Sequence, residues 1–217
     1  TFHFLVPTQK VEHVIVNLCP TEPWALPNWV ILRHKTTAFL SVLKEIKNSH
    51  FSSARFYIAI NEKEDRTVAD AKNFACNEDW MSVFPLYAKY PQDDPVILTK
   101  VILGMDVHFG QDTESLGVLI LDAQTVSSIY ESCILRKNVN SRFIVLSGTG
   151  LKENEILNVQ LGTSIGKILK NKSKEVGRYR VFINGPLRGQ EITDLSQKTD
   201  WSINHIVVLE EKDRKVI

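Results

Sequence analysis

Cysteine is scarce in this sequence. Three occur, Cys19, Cys76 and Cys133, each 57 residues from the next and without a C-x-x-C pair. An odd number at such spacing excludes a disulfide framework and offers neither zinc nor an iron–sulfur cluster the grouped thiolates it needs. The three are read as reduced thiols packed as small hydrophobes. The six histidines are equally scattered, so no metal is expected. A long apolar run is also missing: nothing approaches the roughly 18 to 20 consecutive apolar residues of a membrane span. The opening stretch, TFHFLVPTQKVEHV, has no charged region, apolar run and cleavage site of the signal-peptide kind. The expectation is a soluble, cytoplasmic chain whose abrupt opening reads as that of a piece. Nor is there a surplus of one charge. Against 26 Lys and Arg stand 25 Asp and Glu, with no polybasic run, which removes the electrostatic footprint of nucleic-acid binding. The strings H-E-x-x-H, G-x-x-x-x-G-K-S/T and G-x-G-x-x-G do not occur, and no hydrolase nucleophile elbow is expected.

What is present is a chain of 217 residues, 43% of them hydrophobic, enough for one large domain or two small ones. Short apolar runs alternate with amphipathic stretches. Val14-Ile15-Val16 reads as a buried strand, followed by a loop whose Pro20, Pro23 and Pro27 forbid a helix. Phe39, Val42, Leu43 and Ile46 then repeat at helical spacing, and Phe56 to Ile60 is a second strand. Asp65 is read as the cap of a helix carrying Val68, Ala71 and Ala75. Val83 to Tyr87 is a third strand. After the loop Lys89 to Pro95, Asp94 suits an N-cap, Pro95 the first helical position and Gly104 the helix end. Gly117 to Leu121 is a fourth strand, with Asp122 capping a helix that carries Val126, Ile129, Tyr130 and Cys133. The alternation predicts an α/β fold with a mainly parallel sheet covered by helices.

The texture changes near Asn138 to Arg142. Shorter, more alternating runs follow at Phe143 to Leu146, Leu157 to Leu161, Val181 to Ile183 and Ile206 to Leu209, with one brief helix around Ile165, Ile168 and Leu169 and with most of the glycines. This predicts a small α+β unit of hairpins and one helix, giving domains at 1–140 and 141–217.

Four segments, in order, carry a resemblance: Asn17-Leu18-Cys19-Pro20-Thr21-Glu22-Pro23, Lys89-Tyr90-Pro91-Gln92-Asp93-Asp94, Gly162-Thr163, and Asn184-Gly185-Pro186-Leu187-Arg188-Gly189. Together they resemble the C subunit of Rnf electron-transport complexes and its relatives, the A subunit of sodium-pumping NADH:quinone reductase and the flavin subunit of respiratory complex I. The resemblance implies a flavin-domain-like α/β unit followed by a soluble-ligand-binding β-grasp module, with the strand at Ile206 to Leu209 belonging to either. It implies FMN or NADH as cofactor, the other subunits of a membrane electron-transport complex as partners, and a place at the inner membrane held through those partners.

Catalytic relatives cradle FMN with a glycine-rich segment ending in Gly-Phe-Pro-Thr. Here His3-Phe4-Leu5-Val6-Pro7-Thr8 stands in its place, and side chains obstruct the backbone approach to phosphate. Pro20 replaces the first of two loop glutamates. The reading is therefore a degenerate flavin or nucleotide site with FMN bound weakly or not at all, its residual positions being Asn17, Glu22, Tyr90 and Asp93. The alternative is a non-catalytic binding or assembly module that has lost the cofactor.

Plainer roles stand beside these. Glu22 is equally a solvated loop carboxylate, and Asp94 needs no role beyond its cap. Ser147-Gly148-Thr149-Gly150 reads as a strand exit, since no helix signal follows to make it a phosphate cradle. Gly185 to Gly189 reads as a tight turn with Arg188 exposed. Trp24, Trp29, Trp80 and Trp201 are read as core or interface anchors.

Overall fold

The structure, a computed structural model, describes residues 10–25, 36–174 and 178–211. These divide into two compact units, one of residues 10–21 and 36–138, the other of residues 22–25 and 139–211. The segment His3 to Thr8 and Trp29 lie outside the described residues.

In the first unit the strands β1 (His13–Leu18), β2 (Arg55–Asn61), β3 (Met81–Leu86) and β4 (Val118–Asp122) form one sheet in the order β3-β2-β1-β4. Every pairing is parallel, with Val16 opposite Ile58 on one side and Leu121 on the other. β1 is central and buried on both faces, which is why it reads as a continuous apolar run instead of an alternation. One face, built from Val14, Val16, Phe56, Ile58, Leu119 and Leu121, is covered by α1 (Thr36–His50), α2 (Asp65–Ala75) and α4 (Ala123–Ile129). The other, built from Ile15, Ala59 and Val118, receives Leu98 and Ile102 of α3 (Pro95–Leu103). Edge strand β3 contains Pro85, tolerated there because an edge strand has one ladder without a partner to satisfy.

The caps follow the sequence with one exception. Asp94 accepts from Val96 N at 2.9 Å and Ile97 N at 3.4 Å, Pro95 opens α3, and Gly104 closes it at φ 72°. Asp122 accepts from Thr125 N at the start of α4, which a π-helical turn, Tyr130–Ile134, continues. Asp65, read as a cap, is instead the first residue of α2. An Asx turn at Asn61, whose Oδ1 accepts from Lys63 N and whose carbonyl accepts from Glu64 N, sets the entry of that helix. Asp65 then lies in the first turn, where its charge suits the helix dipole.

The second unit contains β5 (Ser141–Ser147), β6 (Glu155–Gln160), α5 (Ile165–Leu169), β7 (Tyr179–Ile183), β8 (Gln190–Ile192) and β9 (His205–Glu210). The sheet order is β6-β5-β9-β7-β8. β9, the run that sequence left to either unit, lies in the middle, parallel to β5 and antiparallel to β7, while β5–β6 and β7–β8 are antiparallel. Two hairpins, a helix between them and a last strand inserted centrally make a β-grasp arrangement. Ile165, Ile168 and Leu169 of α5 pack on Ile144, Leu146, Val181, Ile206 and Val208. Gly148 ends β5 at φ 122°, where a Cβ would stand 2.2 Å from the Val208 carbonyl oxygen. The Ser147 to Gly150 segment is thus a strand exit pressed on β9, as its lack of a following helix implied.

Candidate functional site

An open parallel sheet collects its ligand residues at the carboxyl ends of its strands, around the place where the strand order reverses. Here the chain steps from β1 to β2 to β3 and returns beyond β1 to β4. The residues at that edge are Asn17 to Thr21 after β1, Asn61 to Glu64 after β2, Tyr87 to Asp94 after β3, and Asp122.

Three of the four sequence-derived positions, Asn17, Tyr90 and Asp93, belong to this unit. Asn17 Oδ1 accepts from Cys19 N at 2.9 Å, fixing the turn by which the chain leaves β1. Asp93, 9% exposed, accepts from Thr21 N at 3.0 Å and from the Thr21 hydroxyl, so the loop after β3 is tied to the loop after β1. Tyr90 is 39% exposed, and over the ring of Tyr87 the Lys63 ammonium sits at 5.6 Å. Cys19 is buried beneath this edge, and its thiol is pushed up to about 11, first by burial and then by the charges of Asp93, Glu64 and Glu62. Burial thus favours the neutral thiol, with the nearby acids acting in the same direction. The carboxylate of Asp93 and the side-chain oxygen of Asn17 are thus bonded within the chain, and the same edge also carries Lys63 and Lys89.

The fourth position, Glu22, belongs to the second unit. Its carboxylate is buried, 5% exposed, and accepts from Leu187 N at 2.8 Å, Arg188 N at 3.4 Å and the Arg188 guanidinium Nε at 3.3 Å. Gly185, at φ 102°, makes room for it, since a Cβ there would lie 2.2 Å from Glu22 Oε1. This is a carboxylate held in a nest of turn amides. One sequence expectation is corrected, since Glu22 is not a solvated carboxylate; the other holds, since Arg188 is exposed while its Nε pairs with Glu22. Spacing along the chain gave no sign of a partner more than 160 residues away.

Gly162-Thr163-Ser164-Ile165-Gly166 spells the G-x-S-x-G of a hydrolase elbow, a string that sequence reasoning passed over. Ser164, however, is the unstrained cap of α5, at φ −70° and ψ 145°, with its hydroxyl accepting from Lys167 N at 3.4 Å. An elbow serine sits on a sharp strained turn, so the match is one of letters. Trp80 is a core anchor, edge-on to Phe56 at 5.3 Å between ring centres, with its indole N–H donating to Glu78 at 2.6 Å. Among the described residues no group of three or more His, Cys, Asp or Glu side chains is placed to hold a metal ion, and no helix is long and apolar enough to cross a membrane.

Comparison with known proteins adds the following. The family model of the Nuo51 FMN-binding domain matches residues 4–131. The C subunit of the ion-translocating oxidoreductase complex of Haemophilus influenzae strain PittEE is 23% identical over 197 residues, covering 90% of this chain and 30% of the relative. The C subunit of the Na(+)-translocating ferredoxin:NAD(+) oxidoreductase complex of Acetobacterium woodii is 25% identical over 194 residues, covering 87% of this chain and 43% of the relative. The chain thus spans less than half the length of either. Among solved structures, an NAD+-reducing NiFe hydrogenase in its H2-reduced state superposes with a TM-score of 0.69 at 11% identity, over 94% of this chain and 41% of the other. That likeness is one of fold.

Proposed function

The chain belongs to the Nuo51 FMN-binding domain family, whose model spans more than half of it, and from that membership we propose that it is a subunit, or a piece of one, in an Rnf-type electron-transport complex. Residues 1–140 form the flavin-subunit-like α/β domain and residues 141–217 the ligand-binding type of β-grasp module. Its partners are the other subunits of that complex, through which it sits peripherally on the cytoplasmic side of the membrane. The two named relatives, matched over most of this chain, support this reading.

Within the complex the chain acts with a degenerate cofactor site. The observation that carries this is Glu22, whose carboxylate is consumed by Leu187 and Arg188. Pro20 in place of the loop's other acid, and the side chains at His3, Phe4 and Leu5, point the same way. FMN, if bound in a relative, supplies one- and two-electron transfer through its isoalloxazine ring; this chain's own residues hold the loops after β1 and β3 together and close the β7–β8 turn. The second reading, a pure assembly module, draws on the same internal use of polar groups.

The test of membership is to tag the chain in its native host and isolate it from membranes in mild detergent. The expected result is co-purification of stoichiometric partner subunits of an electron-transport complex. Recovery of the chain alone, with activity of that complex unchanged when the chain is deleted, would reject it.

A further inference from the structure

The loop between α3 and β4 presents a bare aromatic ring. Phe109 is 107% exposed, whereas no other large apolar side chain of the described residues exceeds 56%. The ring is not on a loose tail. His108-Phe109-Gly110-Gln111 is a closed turn: Gln111 N donates to His108 O at 3.0 Å, and His108 N donates to Gln111 Oε1 at 3.3 Å. Gly110, at φ 84°, occupies the position that a turn of this kind reserves for glycine. On its far side the loop is pinned by Asp112, which accepts from Ser115 N at 2.7 Å and, through its carbonyl, from the Ser115 hydroxyl at 2.7 Å. The helix feeding the loop continues the apolar character outward, with Val96 and Val101 45% and 50% exposed.

A preordered, fully exposed aromatic is what a binding hot spot looks like before its partner arrives, because little rotamer or loop entropy remains to be lost. The charges around it choose the partner. Asp106, Asp112 and Glu114 are exposed along the loop, and Asp106 already takes up Lys100 at 2.7 Å. The remaining rim is acidic, with His108 as its only other basic group between Lys100 and Glu114. An anionic membrane surface would be repelled by that rim. A protein surface with an apolar socket ringed by Lys or Arg would be attracted and steered to it.

Resting on the membership proposed above, we infer that the Phe109 turn is a docking knob for another protein of the complex, entering an apolar socket with a basic rim. The knob supplies affinity and the acidic rim supplies orientation.

A photocrosslinking benzoylphenylalanine in place of Phe109, in the full chain in its native host, tests this directly. The expected result is one dominant crosslink to a single partner protein, within a peptide whose apolar residues are flanked by Lys or Arg. Phe109→Ser is expected to reduce recovery of that partner by about tenfold or more, while leaving the melting temperature of the isolated chain unchanged. Asp112→Lys with Glu114→Lys is expected to weaken recovery most at low salt. Crosslinks to a second copy of this chain or to lipid overturn the inference. So does an absent crosslink when the other subunits still co-purify, an outcome that leaves membership standing. A lowered melting temperature for Phe109→Ser would place the ring in this chain's own packing and also overturn it. If no partner is recovered with the unmodified chain, membership and knob fall together.

Discussion

His205 is an imidazole that the fold keeps neutral. It is 4% exposed at the start of β9, and neither ring nitrogen has a hydrogen-bond partner. In the neighbouring strand, Ser147 at the end of β5 is also buried with its hydroxyl unpartnered. Burial, and secondarily the positive charge of Arg188, lowers the His205 pKa from its usual 6.5 to about 4. Between these values the unfolded chain binds a proton that the folded chain refuses. Stability from this group is therefore complete above about pH 6.5 and is lost as pH falls towards 4, by at most about 3 kcal/mol. Urea unfolding of the wild type and of His205→Leu at pH 7 and pH 4.5 checks the sign. The wild type is expected to lose more stability than the variant over that interval; equal losses would mean that the imidazole is solvated.

At the scale of elements, the β7–β8 connection is closed by a residue remote from it in sequence. Removing the charge of Glu22 with Glu22→Gln leaves Leu187 N and Arg188 N facing a weaker acceptor and takes away the carboxylate charge opposite Arg188 Nε. A loss of about 1–3 kcal/mol is expected, seen as a lower urea midpoint and as faster amide exchange at Leu187 and Arg188. An unchanged midpoint with unchanged exchange would show that the turn stands without the carboxylate. This is also where sequence legibility divides. The strands around Val14 to Val16, Phe56 to Ile60 and Val118 to Leu121, the caps Asp94, Gly104 and Asp122, and the short helix at Ile165 to Leu169 all follow from local apolar period and backbone preference. The three-residue β8 carries too little pattern to be seen, and Glu64 displaced Asp65 as the cap position because the Asx turn at Asn61 governs the entry. The partners of Glu22 and Asp93 are tertiary facts. Nothing in the spacing of Thr21 and Asp93, or of Glu22 and Leu187, announces that they meet.

For the whole molecule, the family layout is retained, and three of the polar positions expected to serve a cofactor are engaged within the chain, each in its own unit. Asn17 closes its own strand exit, Asp93 holds Thr21, and Glu22 holds the β7–β8 turn. The acids Glu62, Glu64 and Asp93 add to burial in pushing the Cys19 thiol up, and Lys63 and Lys89 lie at the same edge. The internal use of Asn17, Asp93 and Glu22, together with the side chains at His3, Phe4 and Leu5, supports the proposal of a degenerate site. Titration of the purified chain with FMN, followed by flavin fluorescence, measures this most directly. The account predicts no saturable change, or a dissociation constant weaker than about 1 μM; saturable binding below about 1 μM, equivalent to roughly −8 kcal/mol, and abolished by Glu22→Ala, would contradict it.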